Sequence, residues 1–244
     1  MDAVILAGGF AKRMWPLTKD RPKHLLEVAG RPMLSYTLDP LLEMDVVKNI
    51  YVSTNQAFSD HFRDFLSEGY DGKKVSLVVE PTESEGEKLG SIGGLNYLIE
   101  KEGIDTDCFV IGGDNLFEFH PSEAQNSFRR HGCDLVAVYD VGSRSMASLY
   151  GIVDVDESGR ILHFLEKPKD PPSTLAATAF YIFRRETVRM VSRYIDEGGK
   201  RDALGHFIRY IVEDHEVRAW PFEGVWFDIG SLDSYREASE FFGR

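Results

Sequence analysis

At 244 residues, with 43% hydrophobic residues and a formal charge of −12, the chain can bury a sizeable core as one large domain or two small ones. The acidic excess excludes partners held through a basic surface, nucleic acid and anionic membrane among them, so local basic clusters read as small-anion sites. Cys108 and Cys133 are too few for a disulfide framework and lie beside apolar runs, as buried thiols in a reducing compartment do. No apolar stretch approaches the roughly 20 residues that span a bilayer. Asp2 stands directly before the first apolar run with no basic segment ahead of it, so no signal peptide is expected and a cytoplasmic location is.

In chain order, Ala3–Ala7 reads as a buried strand that empties into Gly8 and Gly9 and then into Lys12, Arg13 and, further on, Lys23. Helical spacing of Met33, Leu34, Leu38, Leu41 and Leu42 predicts a helix over 33–42, with Pro32 suited to its first turn. Asn49–Ser53 is a second strand, Phe58–Leu66 a helix ended by Gly69, and Val75–Val79 a third strand with every position compatible with burial. The acidic, aperiodic stretch 80–88 reads as a loop leading into a helix over 92–101. Cys108–Ile111 is a strand closing on Gly112-Gly113-Asp114-Asn115, followed by a helix over 121–130 and a strand over 135–139. Phe62, Phe65 and Phe128 fall at helical core positions and read as packing.

This strand–helix alternation predicts a parallel α/β sheet built from right-handed crossovers. The rest of the chain differs. Strands over 151–156 and 160–166 flank an Asp156-Glu157-Ser158-Gly159 turn, a hairpin signal. A strand over 177–183, helices over 186–196 and 203–213, and a strand over 217–220 follow. The chain closes on Trp226-Phe227-Asp228-Ile229-Gly230 and a helix over 231–242 that Ser231 can cap. No repeat or linker divides it, so the expectation is one domain over 1–244, with halves at about 1–140 and 141–244.

Adjacent glycines let backbone N–H groups approach an anion where a Cβ would obstruct, and the nearby basic residues supply charge. The P-loop and dinucleotide-fold glycine patterns are both absent, and a tight turn is the alternative. Asp114, after a buried strand, sits where open α/β folds bind ligands; a carboxylate there suits Mg²⁺ shared with phosphates, or else bonds its own turn. Lys167, at a strand end, is either solvated or a point charge for phosphate. Asp228, among aromatic and apolar neighbours, needs a cation, a capped helix or a metal as partner. The seven histidines show no metal-ligand spacing.

Leu6-Ala7-Gly8-Gly9-Phe10-Ala11-Lys12-Arg13 through Thr18, with Arg21-Pro22-Lys23, resembles the phosphate loop of sugar-1-phosphate nucleotidylyltransferases. Gly112–Asn115, Tyr150-Gly151, Phe164–Pro168 and Trp226–Gly230 continue the resemblance in the family's order over nearly the whole chain. The resemblance implies a Rossmann-like α/β fold with a mixed, mostly parallel central sheet and helices on both faces. It implies an Mg²⁺-dependent reaction of a nucleoside triphosphate with a hexose 1-phosphate, giving an NDP-sugar and pyrophosphate.

Carried over by position, Leu6, Ala7, Gly8, Gly9 and the backbone to Arg13 would hold the triphosphate. Arg13 would stabilise the leaving pyrophosphate and Lys23 would contact phosphate at the reacting centre. Glu80 and Gly90 would lie beside the base, and Asp114 and Asp228 would hold Mg²⁺. Tyr150, Gly151, Glu166 and Thr178 would line the sugar site, and Lys167 would grip the sugar phosphate.

Three positions depart from the pattern. Ala11 stands where many members have a third glycine, with only a modest backbone change expected. Thr178 replaces a common asparagine, and Glu80 a glutamine that many thymidylyl- and uridylyltransferases present to the base. A carboxylate can accept the N3–H of uracil or thymine, or two N–H groups of guanine. The reading is a glucose-1-phosphate thymidylyl- or uridylyltransferase, with dTTP or UTP favoured and self-assembly into an oligomer compatible with it. The alternatives are a mannose-1-phosphate guanylyltransferase and a non-catalytic, nucleotide-sugar-binding regulatory subunit.

Overall fold

Parallel pairing of Asp2–Leu6 with Asn49–Asn55, and of the latter with Val75–Glu80, organises the first part of the computed structural model, which describes residues 1–243. The chain divides into two compact units. The first comprises Met1–Leu89, Ile111–Glu118 and the residues from Val225 on; the second comprises Gly90–Val110 and Phe119–Gly224.

In the first unit the register places Leu6 beside Ser53, and Asn55 beside Glu80. Gly8, two residues past Leu6, therefore comes level with Asn55 and Glu80 at the C-terminal edge of these strands, the edge where parallel sheets bind ligands. Asp2–Leu6 is buried at four successive positions, as a strand covered on both faces should be. Val75–Glu80 differs from expectation: only Val78 and Glu80 are buried. Side chains alternate between faces along a strand, and here one face meets solvent more than an unbroken apolar run implies.

The helix expected over 33–42 begins at Ser35 and runs to Glu43, with Pro40 inside it. Pro32 instead pairs with Glu27 in a two-residue antiparallel ladder, Glu27–Val28 against Arg31–Pro32. Proline suits such a short edge because it has no N–H to give to a ladder. Met33 and Leu34, assigned to the helix by spacing, are fully buried ahead of it. Met33 joins Met14, Leu26, Val28, Leu116, Ile229 and Ala238 in a core cluster. A second small ladder, unmarked in the sequence, pairs Asn115–Phe117 with Trp226–Asp228 and sets Asp228 opposite Asn115. The helix Leu232–Phe242 is capped by Ser231, as expected. The acidic 80–88 stretch contains one turn of 3-10 helix, Glu85–Glu87, closed by a capping box between Ser84 and Glu87.

In the second unit, Gly151–Val155 and Ile161–Glu166 form the expected hairpin. Leu175–Phe183 runs antiparallel to Asp134–Asp140, whose other side takes Val217–Pro221 in parallel. Helices Gly90–Glu102, Pro121–His131, Arg185–Asp196 and Leu204–Ile211 belong to this unit, with a short helix Arg144–Ala147 that no sequence signal announced. Cys108 and Cys133 are buried and outside any disulfide. Among the described residues no helix is long and apolar enough to cross a membrane.

Candidate functional site

Gly8 presses directly on Glu80 in the first unit: a Cβ at Gly8 would lie 3.0 Å from Glu80 Oε1 and 3.2 Å from Oε2. Only glycine brings this backbone so close to a carboxylate. Glu80 is 6% exposed and accepts a hydrogen bond from the Ser53 hydroxyl, on the strand paired beside it. Burial pushes its carboxyl above the ordinary range and the Ser53 bond opposes that. Asn55, fully buried, donates through Nδ2 to the Gly8 carbonyl at 3.0 Å and accepts the Phe58 N–H through Oδ1 at 3.0 Å. Leu6 and Ala7 are tied into the framework: the Leu6 carbonyl accepts the Gly113 N–H, and the Ala7 N–H donates to the Ser53 carbonyl.

Beyond the glycines the chain turns at Ala11, whose φ of 47° is left-handed. An L side chain rarely adopts that region, so Ala11 is strained where glycine would not be. Thr18 donates to the Ala11 carbonyl at 2.8 Å and so braces the turn. Lys12 and Arg13 then stand exposed. A Cβ at Gly230 would lie 3.3 Å from Arg13 Nη2 and 4.0 Å from Asp228 Oδ2, which places the guanidinium and this carboxylate around one glycine.

Lys23 is buried, with its ammonium 2.6 Å from Asp114 Oδ2 and 3.1 Å from the Ile229 carbonyl. The other oxygen of Asp114 accepts from Asn115 Nδ2 at 2.8 Å. Trp226 fixes that amide's orientation. Its indole N–H can only donate, and it does so to Asn115 Oδ1 at 2.7 Å, so the NH₂ must face Asp114. Burial raises the Asp114 carboxyl, but the adjacent charges, Lys23 foremost, and its hydrogen bonds more than offset this and hold it below the usual range. His24 is buried beside the pair, and burial, then the charge of Lys23, push it down to about 3, so the ring is neutral.

These residues converge although they come from distant parts of the sequence. Gly8, Arg13, Lys23, Glu80, Asp114 and Asp228 all lie in the first unit. Among the described residues no group of three or more acidic, His or Cys side chains is gathered as a metal cage. Carboxylates such as those of Asp114 and Asp228 are the hard oxygen donors that Mg²⁺ takes, an ion that keeps several waters and draws its remaining oxygens from phosphates.

Gly90, Tyr150, Gly151, Glu166, Lys167 and Thr178 lie in the second unit. Gly151 abuts Phe164: a Cβ there would come 2.5 Å from Phe164 Cζ and 3.4 Å from Glu166 Oε2. Gly205, at the start of the helix Leu204–Ile211, is pressed against the same two side chains, a constraint no local motif revealed. Tyr181 is buried near Glu166; burial, then that carboxylate, raise its hydroxyl well above the ordinary range. Lys167 is exposed, with a left-handed backbone at φ 46° and its N–H given to the Tyr150 carbonyl at 3.0 Å.

Two residues named by the resemblance also have structural contacts of their own. Thr178 is fully buried and donates to the Ala137 carbonyl at 3.1 Å, beside an irregularity in strand pairing where Ala179 has φ 54°. Gly90 packs against the backbone of Arg201 and Asp202, where a Cβ could not fit. Asn55, Asn115 and Trp226 hold the loop and Asp114 in place, although the motifs assign none of them a role of its own. A polar Ser53-Thr54-Asn55 run ending an apolar strand was the available signal for the first.

Residues 2–244 match the family model described as Nucleotidyl transferase. A provisionally named mannose-1-phosphate guanyltransferase of Sulfolobus acidocaldarius is 29% identical over 96% of this chain and 61% of its own. A glucose-1-phosphate thymidylyltransferase of Neisseria meningitidis is 29% identical over 99% of this chain and 82% of its own. The chain thus spans about three fifths of the first relative's length. A solved structure from Bacillus anthracis, provisionally named a glucose-1-phosphate thymidylyltransferase and holding sucrose, superposes with a TM-score of 0.85 at 24% identity, over 100% of this chain and 95% of that one. This likeness shows the fold: Rossmann-like α/β, with a mixed, mostly parallel central sheet and helices.

Proposed function

Because the chain belongs to the nucleotidyl transferase family, we propose that it transfers a nucleotidyl group from a nucleoside triphosphate to a hexose 1-phosphate, releasing pyrophosphate. The observation that carries this reading is the convergence of the glycine loop, Arg13, the Lys23–Asp114 pair and Asp228 in one unit. It is an inventory for holding and neutralising phosphate, and in this reading none of its side chains serves as nucleophile or general base.

The reaction needs neither. A phosphate oxygen of the sugar 1-phosphate is already ionised at neutral pH and attacks the α-phosphate, and pyrophosphate leaves. Alignment and charge neutralisation then do the catalysis. In this reading the backbone of Gly8 and Gly9 holds the triphosphate, and Arg13 faces the charge that accumulates on the leaving group. Lys23 supplies positive charge at the reacting phosphate, and its hydrogen bond to Asp114 keeps that carboxylate ionised. Asp114 and Asp228 would hold Mg²⁺, which when bound would withdraw charge from phosphate oxygens. In the second unit Glu166 accepts hydrogen bonds from sugar hydroxyls and Lys167 binds the sugar phosphate, with Tyr150 and Gly151 alongside.

Glucose 1-phosphate with dTTP or UTP is the proposed pair. Mannose 1-phosphate with GTP is the second reading, favoured by one observation: position 80 holds a carboxylate, an acceptor without an amide's N–H. The test is a pyrophosphate-release panel of dTTP, UTP, GTP, CTP and ATP crossed with several hexose 1-phosphates. Release with a uridine or thymidine triphosphate is the expected result. Release with GTP and mannose 1-phosphate alone selects the second reading. Silence with every pair would overturn the enzymatic reading in favour of a nucleotide-sugar-binding regulatory subunit.

A further inference from the structure

The peptide between Gly8 and Gly9 has glycine on both sides, so its own sterics scarcely prefer one orientation over its reverse. Something outside the loop must set it. Glu80 packs against Gly8, and Asn55 hydrogen-bonds the peptide itself, its Nδ2 donating to the Gly8 carbonyl at 3.0 Å. We propose that Asn55 is a positioning residue that locks the Gly8–Gly9 peptide so that the Gly9 N–H faces outward, toward an anion. This rests on the reading above, in which the anion is the triphosphate.

The geometry follows from the planar trans peptide. Its carbonyl and N–H point in opposite directions, so a carbonyl drawn inward to Asn55 turns the next N–H away from the protein. Gly9 is exposed, and a Cβ placed on it would meet nothing within 4 Å. The Gly9 N–H therefore leaves from an exposed stretch of backbone.

Asn55 is itself held. It is fully buried, it ends a strand paired on both sides, and its Oδ1 accepts the Phe58 N–H at 3.0 Å. Phe58 N–H can only donate, so Oδ1 faces Phe58 and Nδ2 faces Gly8. An isosteric aspartate could keep the bond to Phe58 but would present an acceptor to an acceptor at Gly8. Reversing the peptide relieves that conflict: the Gly9 N–H turns in to the carboxylate and the Gly8 carbonyl turns out, where it repels phosphate.

Asn55→Asp and Asn55→Ala test this, with thermal unfolding to verify that each variant is folded. Asn55→Ala removes the lock without reversing it. Its KM for the triphosphate should rise roughly tenfold, the scale of one oriented hydrogen bond. Its KM for the hexose phosphate should stay within about twofold, a split that general destabilisation does not produce. Asn55→Asp should lose roughly a hundredfold in pyrophosphate affinity measured calorimetrically without the sugar phosphate, because a carbonyl replaces a donor. Equal rises in both KM values, or unaltered pyrophosphate binding, would overturn the proposal. A crystal structure of the unliganded Asn55→Asp protein separates the lock from the catalytic reading. The Gly8–Gly9 peptide should be reversed in it whatever the enzyme turns over, and an unmoved peptide refutes the lock alone.

Discussion

Lys23 Nζ lies 2.6 Å from Asp114 Oδ2 across 91 residues of sequence, and its second bond, to the Ile229 carbonyl, spans 206. Three segments of the first unit are thus fastened at one ammonium. The same bond that positions a proposed phosphate contact also neutralises a proposed metal ligand, so the two roles cannot be altered separately.

Replacing Lys23 by methionine keeps the volume and leaves the Asp114 carboxylate without its cation. The expected cost is about 3 kcal/mol in urea unfolding near neutral pH, the scale of a broken buried pair. The sign with pH is fixed. With Lys23 the folded carboxyl lies below its unfolded value, so its stabilisation is present above that value and is lost as pH falls through the folded one. Without Lys23 burial dominates, and the variant's deficit should shrink toward acid as the carboxyl protonates. Adding Asp114→Asn should recover part of the loss, whereas additive losses in the double-mutant cycle would show that the pair is uncoupled.

His24 predicts an acid limb of its own. It is buried neutral with a folded value of about 3 against an ordinary 6.5. Its contribution is complete above about 6.5 and falls progressively toward about 3, because only the unfolded chain takes up the proton. His24→Gln should flatten the stability profile in that window by at most about 1.4 kcal/mol per pH unit, one proton's worth. Parallel profiles for the variant and the parent would contradict a buried neutral ring.

Ala11 carries a methyl group in a left-handed backbone where glycine has no steric penalty. Ala11→Gly should stabilise the protein by about 0.5–1 kcal/mol, the relief at φ 47° exceeding the greater freedom glycine gives the unfolded chain. A lower melting temperature for the variant would mean that this turn is not the conformation in solution.

Lys167 is exposed and its backbone is left-handed, a combination retained more readily for function than for packing. Lys167→Ala should raise KM for the hexose phosphate by roughly a hundredfold, as loss of a charge-assisted contact implies, and change the triphosphate KM by less than about threefold. Melting temperature should be preserved. Equal effects on both substrates would remove Lys167 from the sugar-phosphate role.

The amino-acid sequence by itself determined the order of the longer strands and helices, the glycine loop after the first strand, the Asp156–Gly159 hairpin turn and the Ser231 cap. Each rests on contacts between near neighbours, whose preferences periodicity and residue type express directly. It misassigned Pro32, because helical spacing of apolar residues ran through Met33 and Leu34, which are buried by the tertiary core ahead of the helix. Only the tertiary structure decided that Lys23 meets Asp114, that Gly205 crowds Phe164 and Glu166, and that Asn55 and Glu80 come level with Gly8. These relations depend on strand register and on which distant segments share a core. No local pattern encodes them, because a strand's own residues fix its faces but not its partner.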